Sequence, residues 1–149
     1  MSNDRLKRCE VLTEMANTSP YYKLLGMETI HLREGYSRVK MVAQEKHYHP
    51  GRVVHGGAIT SLMDAAGALA GISTLDPEDE MTTAEIKVNF LSPARAGEVI
   101  IAEGRVVQKG RTLVLSEMEA RTEDGRLVGK ALTTCVVLKG HTSWVTHQH

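Results

Sequence analysis

His55-Gly56-Gly57-Ala58-Ile59-Thr60-Ser61-Leu62-Met63-Asp64-Ala65-Ala66-Gly67-Ala68-Leu69-Ala70-Gly71-Ile72 decides the fold of this chain. From Ala58 to Ile72 every position is apolar, small or hydroxylic except Asp64. A helix that is apolar all round has to be wrapped by other elements, and this run is too short and too polar to span a membrane. Gly67 and Gly71 each cost roughly 1 kcal/mol of helix propensity against Ala. Tight packing against small side chains must offset that cost.

The rest of the chain supplies the wrapping. A length of 149 residues with 42% hydrophobic content suits one domain over residues 1–149. Residues 4–16 carry Leu6, Cys9, Leu12 and Met15 at helical spacing, begun by Asn3 or Asp4. Ser19-Pro20 starts a second helical turn that Gly26 ends. Residues 1–19 thus form an N-terminal helical cover, and residues 139–149, with His141, His147 and His149, a polar and loosely ordered tail.

Strand signals fill the remainder. Residues 27–32 and 36–44 flank the Glu34-Gly35 turn, the second placing Ser37, Val39, Met41 and Ala43 on one face. Residues 76–80 read as an acidic loop containing Pro77. Four strands follow at 82–91, 99–108, 112–122 and 126–138, the first alternating Ala84, Ile86, Val88 and Phe90 against Thr83, Glu85, Lys87 and Asn89. Short turns at Lys109-Gly110 and at Glu123-Asp124-Gly125 make antiparallel neighbours. Strands that flank helices instead of alternating with them predict an α+β fold, a curled antiparallel sheet around one central helix.

Charge excludes some functions. Lys plus Arg and Asp plus Glu number 18 each, so no global field draws nucleic acid or a membrane. Cys9 and Cys135 are too few for a disulfide framework, and the first residues lack the apolar core of a signal peptide, which predicts a reducing cytoplasm.

Chemistry is expected at the start of the central helix. Its first N–H groups lack internal partners and carry the positive end of the dipole, so Gly56-Gly57 can present bare donors to an oxyanion. A tight strand-to-helix turn would explain the same glycines. Asp64 lies in the least polar part of the chain, either as a core carboxylate satisfied by a neighbour such as Thr60 or as a base or nucleophile with a raised pKa. Eight residues along a helix cover roughly 12 Å and about 80° beyond two turns, so Gly56 and Asp64 of one chain cannot serve one small reacting group. The spacing predicts a site shared across a two-fold dimer with facing helices.

His49-Pro50-Gly51-Arg52-Val53-Val54-His55-Gly56-Gly57 leading to Asp64, then Thr83-Ala84-Glu85-Ile86-Lys87-Val88-Asn89-Phe90-Leu91-Ser92-Pro93-Ala94, Gly97-Glu98 and Gly110-Arg111-Thr112 resemble the hotdog-fold acyl-CoA thioesterases of the phenylacetate-pathway type. The likeness runs from Pro20 to Leu138. It implies that the Gly56 N–H polarises the thioester carbonyl, that Asp64 is the catalytic carboxylate from the opposite subunit, and that Thr83 helps position water. His49 falls where relatives commonly have an Asn, and a His there adds a pH dependence that Asn lacks. The resemblance further implies CoA contacts along Phe90 to Arg95 and Gln108 to Leu113. The expected set is His55, Gly57, Phe90, Ser92, Pro93, Arg95, Gln108, Lys109, Gly110, Arg111 and Thr112, although the cations also read as ordinary hairpin charges. Neither a metal nor a cofactor is expected, and a homodimer or dimer of dimers is.

Other readings remain. His47, His49 and His55 are close enough in sequence for Zn²⁺, though no Cys or carboxylate completes the set. A non-catalytic acyl-CoA sensor needs an output module, and a hotdog dehydratase or hydratase needs a His beside the acid. Candidates for the acyl pocket are Leu62, Leu69, Ile72, Tyr21 and Tyr22; one Phe and one Trp argue against a stacking-rich pocket.

Overall fold

Leu62, Met63, Ala66 and Ala70 of the central helix have no exposed surface, because a sheet closes round them. The computed structural model describes residues 2–141. Its elements are α1 (Asn3–Thr18), α2 (Pro20–Leu25), β1 (Met27–Arg33), β2 (Tyr36–Val42), α3 (Gly56–Ile72), β3 (Glu80–Phe90), β4 (Val99–Lys109), β5 (Leu113–Thr122) and β6 (Leu127–Leu138), with a 3-10 turn at Glu45–His47. The six strands form one antiparallel sheet in the order β1-β2-β4-β5-β6-β3. The expected α+β architecture, one helix within a curled sheet, is what the chain adopts.

Local chemistry sets the ends of the first helices. α1 begins one residue earlier than expected, with the Ser2 hydroxyl accepting from the Arg5 N–H. Pro20 opens α2 and Gly26, at φ 72°, closes it in the left-handed conformation that suits glycine. Asn17 at the end of α1 accepts from the Thr29 N–H at 2.7 Å and donates to the Thr29 carbonyl, so one side-chain amide occupies the outer edge of β1.

The helix-to-sheet contact explains two small residues. The Ser37 hydroxyl donates to the Ala66 carbonyl at 2.6 Å, which satisfies a fully buried hydroxyl. A Cβ built on Gly104 of β4 would fall on that same carbonyl, so only glycine lets the backbones approach this closely. At its far end α3 has no basic residue of its own in the last turn. Cations from elsewhere serve it: Arg8 reaches the Ile72 carbonyl, Arg5 the Ser73 carbonyl and Lys109 the Thr74 carbonyl just beyond.

Two sequence expectations need correction. The acidic segment 76–80 is not loop throughout: Glu80 already begins β3, and Asp79 is buried with its carboxylate on the Lys139 ammonium and the Gly140 N–H. The alternation expected along β3 also breaks. The ladder to β6 shifts between Thr83 and Glu85, and the exposed pair Ala84-Glu85 changes phase, so Met81, Thr83, Ile86 and Val88 share the sheltered face. Of the tail, His141 is exposed, while His147 and His149 lie outside the described residues.

Candidate active site

His55 caps α3 with its own ring. Its Nδ1 accepts from the Gly57 N–H at 2.7 Å, which uses one of the two glycine donors expected to face a ligand. Gly56 is left as the donor, since no acceptor for its N–H is found among the described residues. The Phe90 ring stands over Gly56, its Cζ 2.9 Å from where a Cβ would be. Glycine therefore serves here to let an aromatic ring approach the helix start.

A groove of about 470 Å³ opens beside this donor, lined by His49, Gly56, Ile59, Phe90, Ser92 and Pro93 among others. His49 enters it from a tight loop in which its Nδ1 accepts from the Gly51 N–H at 2.8 Å, leaving the proton of the neutral ring on Nε2. Arg52 holds that loop at φ 61°, a left-handed conformation that costs free energy for a residue with a side chain. Ser92 spends its hydroxyl on the Leu127 carbonyl at 2.7 Å and so builds the wall instead of offering a free donor.

Asp64 lies two turns further along α3, half-buried. Its partner is not Thr60, whose hydroxyl donates to the Gly56 carbonyl, but Thr83, whose Oγ1 donates to Asp64 Oδ1 at 3.0 Å. Burial pushes the Asp64 carboxyl above its ordinary value, and the Thr83 bond opposes that push. Burial also raises the Tyr22 hydroxyl to about 12, with the negative charge of Asp64 adding to the rise. A half-desolvated carboxylate with one oxygen fixed suits a base or a nucleophile.

A cavity of about 220 Å³ lies between α1, α2 and α3 and meets α3 from Ala65, the residue after Asp64, onward. Leu12 and Met15, Tyr22, then Ala65, Ala68, Leu69 and Ile72, and Met81 give it an apolar lining. Three of the acyl-pocket candidates, Tyr22, Leu69 and Ile72, line this cavity. Leu62 instead lies wholly in the core, and Tyr21 binds Ser61 through its hydroxyl at 2.6 Å.

Within one chain the remaining candidates do not join this site. Lys109 occupies the C-terminal end of α3, a helix length away from Gly56, and Gly110 closes the β4–β5 hairpin by donating to the Leu113 carbonyl at 2.7 Å. Gln108, Arg111 and Thr112 are exposed on that hairpin, and Arg95 is exposed in the turn after Pro93. The three histidines do not converge on a metal. His47 is buried with Nδ1 accepting from the Gln44 N–H and Nε2 on the Leu25 carbonyl, and His49 and His55 stand 6.3 Å apart between ring centres. Burial lowers the pKa of His47, which holds α2 to the loop before α3. Cys135 lies behind Thr83, and no spacing in the sequence marks it as part of the site because only the cross-strand register brings the two together.

An antiparallel sheet wrapped round one long helix is the hotdog architecture. The chain belongs to the thioesterase superfamily, whose family model matches residues 51–129. It is 35% identical to "Putative esterase SSO2140" of Saccharolobus solfataricus, over 91% of this chain and 94% of that protein. It is 24% identical to acyl-coenzyme A thioesterase 13 of Homo sapiens, over 84% of this chain and 90% of that protein. The PaaI protein from the phenylacetic acid degradation operon of E. coli has the same fold, with a TM-score of 0.78 at 22% identity, covering 87% of this chain and 98% of the other.

Proposed function

We propose that this protein hydrolyses an acyl-CoA thioester in a site that two copies of the chain complete together, acting as a single-domain cytoplasmic enzyme. The observation that carries the reading is the Asp64–Thr83 pair on a helix whose first N–H, at Gly56, is open to a ligand. Gly56 and Asp64 lie eight residues apart on one continuous helix, roughly 12 Å along its axis, so one thioester meets the Gly56 of one subunit and the Asp64 of its partner. β3 supports this assembly: among the described strands it lies at one end of the sheet, beside β6, where an edge strand can meet a second copy. A dimer of dimers extends the same assembly.

Asp64 takes a proton from water as the water oxygen attacks the carbonyl carbon, or attacks that carbon itself. The oxyanion that develops rests on the Gly56 N–H at the positive end of α3, where charge formed in the transition state is stabilised more than the neutral ground state. The C–S bond then breaks and CoA leaves as its thiolate. When water attacks, the carboxylic acid forms in that step; when Asp64 attacks, the mixed anhydride left on Asp64 is cleaved by water to release the acid and restore the carboxylate. His49 presents its Nε2–H to the same groove, and the segments Phe90 to Arg95 and Gln108 to Leu113 hold CoA across the dimer. The apolar cavity beside Asp64 takes the acyl group.

Release of CoA thiol from short, medium, long and aryl acyl-CoAs tests this reading. Wild type should turn over at least one member, and Asp64→Asn should lower kcat about a hundredfold or more. Binding of the whole panel without thiol release from wild type would replace the enzyme with an acyl-CoA sensor.

A further inference from the structure

We propose that Cys135 is a positioning residue for this reaction: its thiol donates into the Thr83 hydroxyl and so keeps that hydroxyl's own proton on Asp64. The inference rests on Asp64 being the catalytic carboxylate. Thr83 and Cys135 are direct cross-strand partners of β3 and β6, and the register shift that follows Thr83 turns its side chain toward α3. Cys135 Sγ lies 3.7 Å from Thr83 Oγ1 and 4.0 Å from Thr133 Oγ1, within reach for sulfur at both.

The direction of each bond follows from counting protons. Thr83 has one hydroxyl proton, and it is directed at Asp64 Oδ1 at 3.0 Å. The hydroxyl proton of Thr133 is directed at the Glu85 carbonyl, also at 3.0 Å. Neither hydroxyl has a proton left for sulfur, so Cys135 is the donor, and the shorter contact is to Thr83. Cys135 is 1% exposed, so water does not compete for the thiol. Burial, with Asp64 nearby, pushes the thiol upward and keeps it protonated as the arrangement needs.

A donor arriving at Thr83 Oγ1 has two effects. It occupies a lone pair, which stops the hydroxyl from rotating to donate elsewhere, and it polarises the O–H bond toward the carboxylate. Asp64 Oδ1 is then held by Thr83, and Oδ2 is left for water. Among the described residues Thr83 from β3 bonds Asp64, while Tyr22 from α2 and, behind Thr83, Cys135 from β6 lie within reach of its charge and are both kept neutral by burial. The Asp64 titration therefore reports on the Thr83 bond.

Cys135→Ala and Cys135→Val test the assignment because one removes volume, the other adds it, and they share only the loss of the thiol. Both should lower kcat about two- to fivefold with KM unchanged, the size expected for a weak S–H donor. Both should move the acid limb of kcat to higher pH, and both effects should vanish in a Thr83→Val background. Carbon-13 NMR of the Asp64 carboxyl should show it titrating at higher pH in both variants than in wild type. This arm reads the bond directly, so it decides the matter even if the protein hydrolyses no thioester. Unchanged titration, opposite shifts in the two variants, or an equal loss with Thr83 absent would overturn the proposal.

Discussion

The Phe90 ring lies so close to Gly56 that a Cβ there would sit 2.9 Å from Cζ and 3.1 Å from the nearest ring neighbour. Phe90 is the last residue of β3 and Gly56 the first of α3, so this one contact joins the end of a strand to the start of the helix. Any side chain at residue 56 has to push this ring aside.

Gly56→Ala is therefore expected to act on the site more than on the fold. Alanine favours the helix by up to about 1 kcal/mol, which offsets part of the strain of moving a half-exposed ring. The melting temperature should change by only a few degrees, while kcat should fall tenfold or more as Phe90 swings into the groove. Thermal unfolding and thiol release on the same samples check both halves, and unchanged kcat would show that the ring yields without closing the groove.

Burial of Asp64 makes the stability of the fold depend on pH. Burial raises its folded pKa above the unfolded value, so the native state holds its proton to a higher pH than the unfolded chain does. Stability relative to an uncharged residue is then lost as pH rises from the unfolded pKa through the raised folded one. Asp64→Asn should be more stable than wild type at neutral and alkaline pH, and the difference should close as pH falls toward about 4. Denaturant midpoints across that range test this, and a wild type more stable than the variant at pH 8 contradicts it.

His47 titrates the other way. Burial lowers its folded pKa, while both ring nitrogens are tied, one to Gln44 and one to Leu25. Its contribution is present above the unfolded value near 6.5 and is lost as pH falls through that value toward the lowered folded one. His47→Ala should cost about 1–3 kcal/mol at pH 8, because it leaves the Gln44 N–H and Leu25 carbonyl unpaired, and should cost less at pH 5. Equal costs at the two pH values would show that the ring's proton plays no part.

How much of this was legible in the sequence differs from residue to residue. The apolar run after Gly57 could only be a wrapped helix, and the alternation of Ser37, Val39, Met41 and Ala43 placed one face of β2 inward, where those four are buried. Periodicity failed at Thr83, since a bulge adds a residue that a period of two cannot represent, and the phase of β3 changes there. Charge was ambiguous for a different reason. Lys109 on a hairpin looks the same in sequence whether it meets a phosphate or the end of a helix, and in the folded chain it reaches the Thr74 carbonyl. Likewise, Asp79 read only as part of an acidic loop because its partners, Lys139 and Gly140, are some sixty residues away.

The proposed seating of the acyl group in the apolar cavity would make selectivity a matter of volume. An apolar space of roughly 150 Å³ accepts benzene, so about 220 Å³ suits a phenyl ring with a short linker or a saturated chain of about six to eight carbons. Ala68 lies one turn beyond Asp64 on α3, and Met15 faces it from α1, so the two walls can be changed independently. Ala68→Phe should lower the ratio of kcat/KM for octanoyl-CoA to that for acetyl-CoA about tenfold or more, whereas Met15→Ala should raise it. A general loss of stability moves both substrates together and cannot produce opposite changes in that ratio. If both variants leave the ratio where wild type has it, the acyl group lies elsewhere.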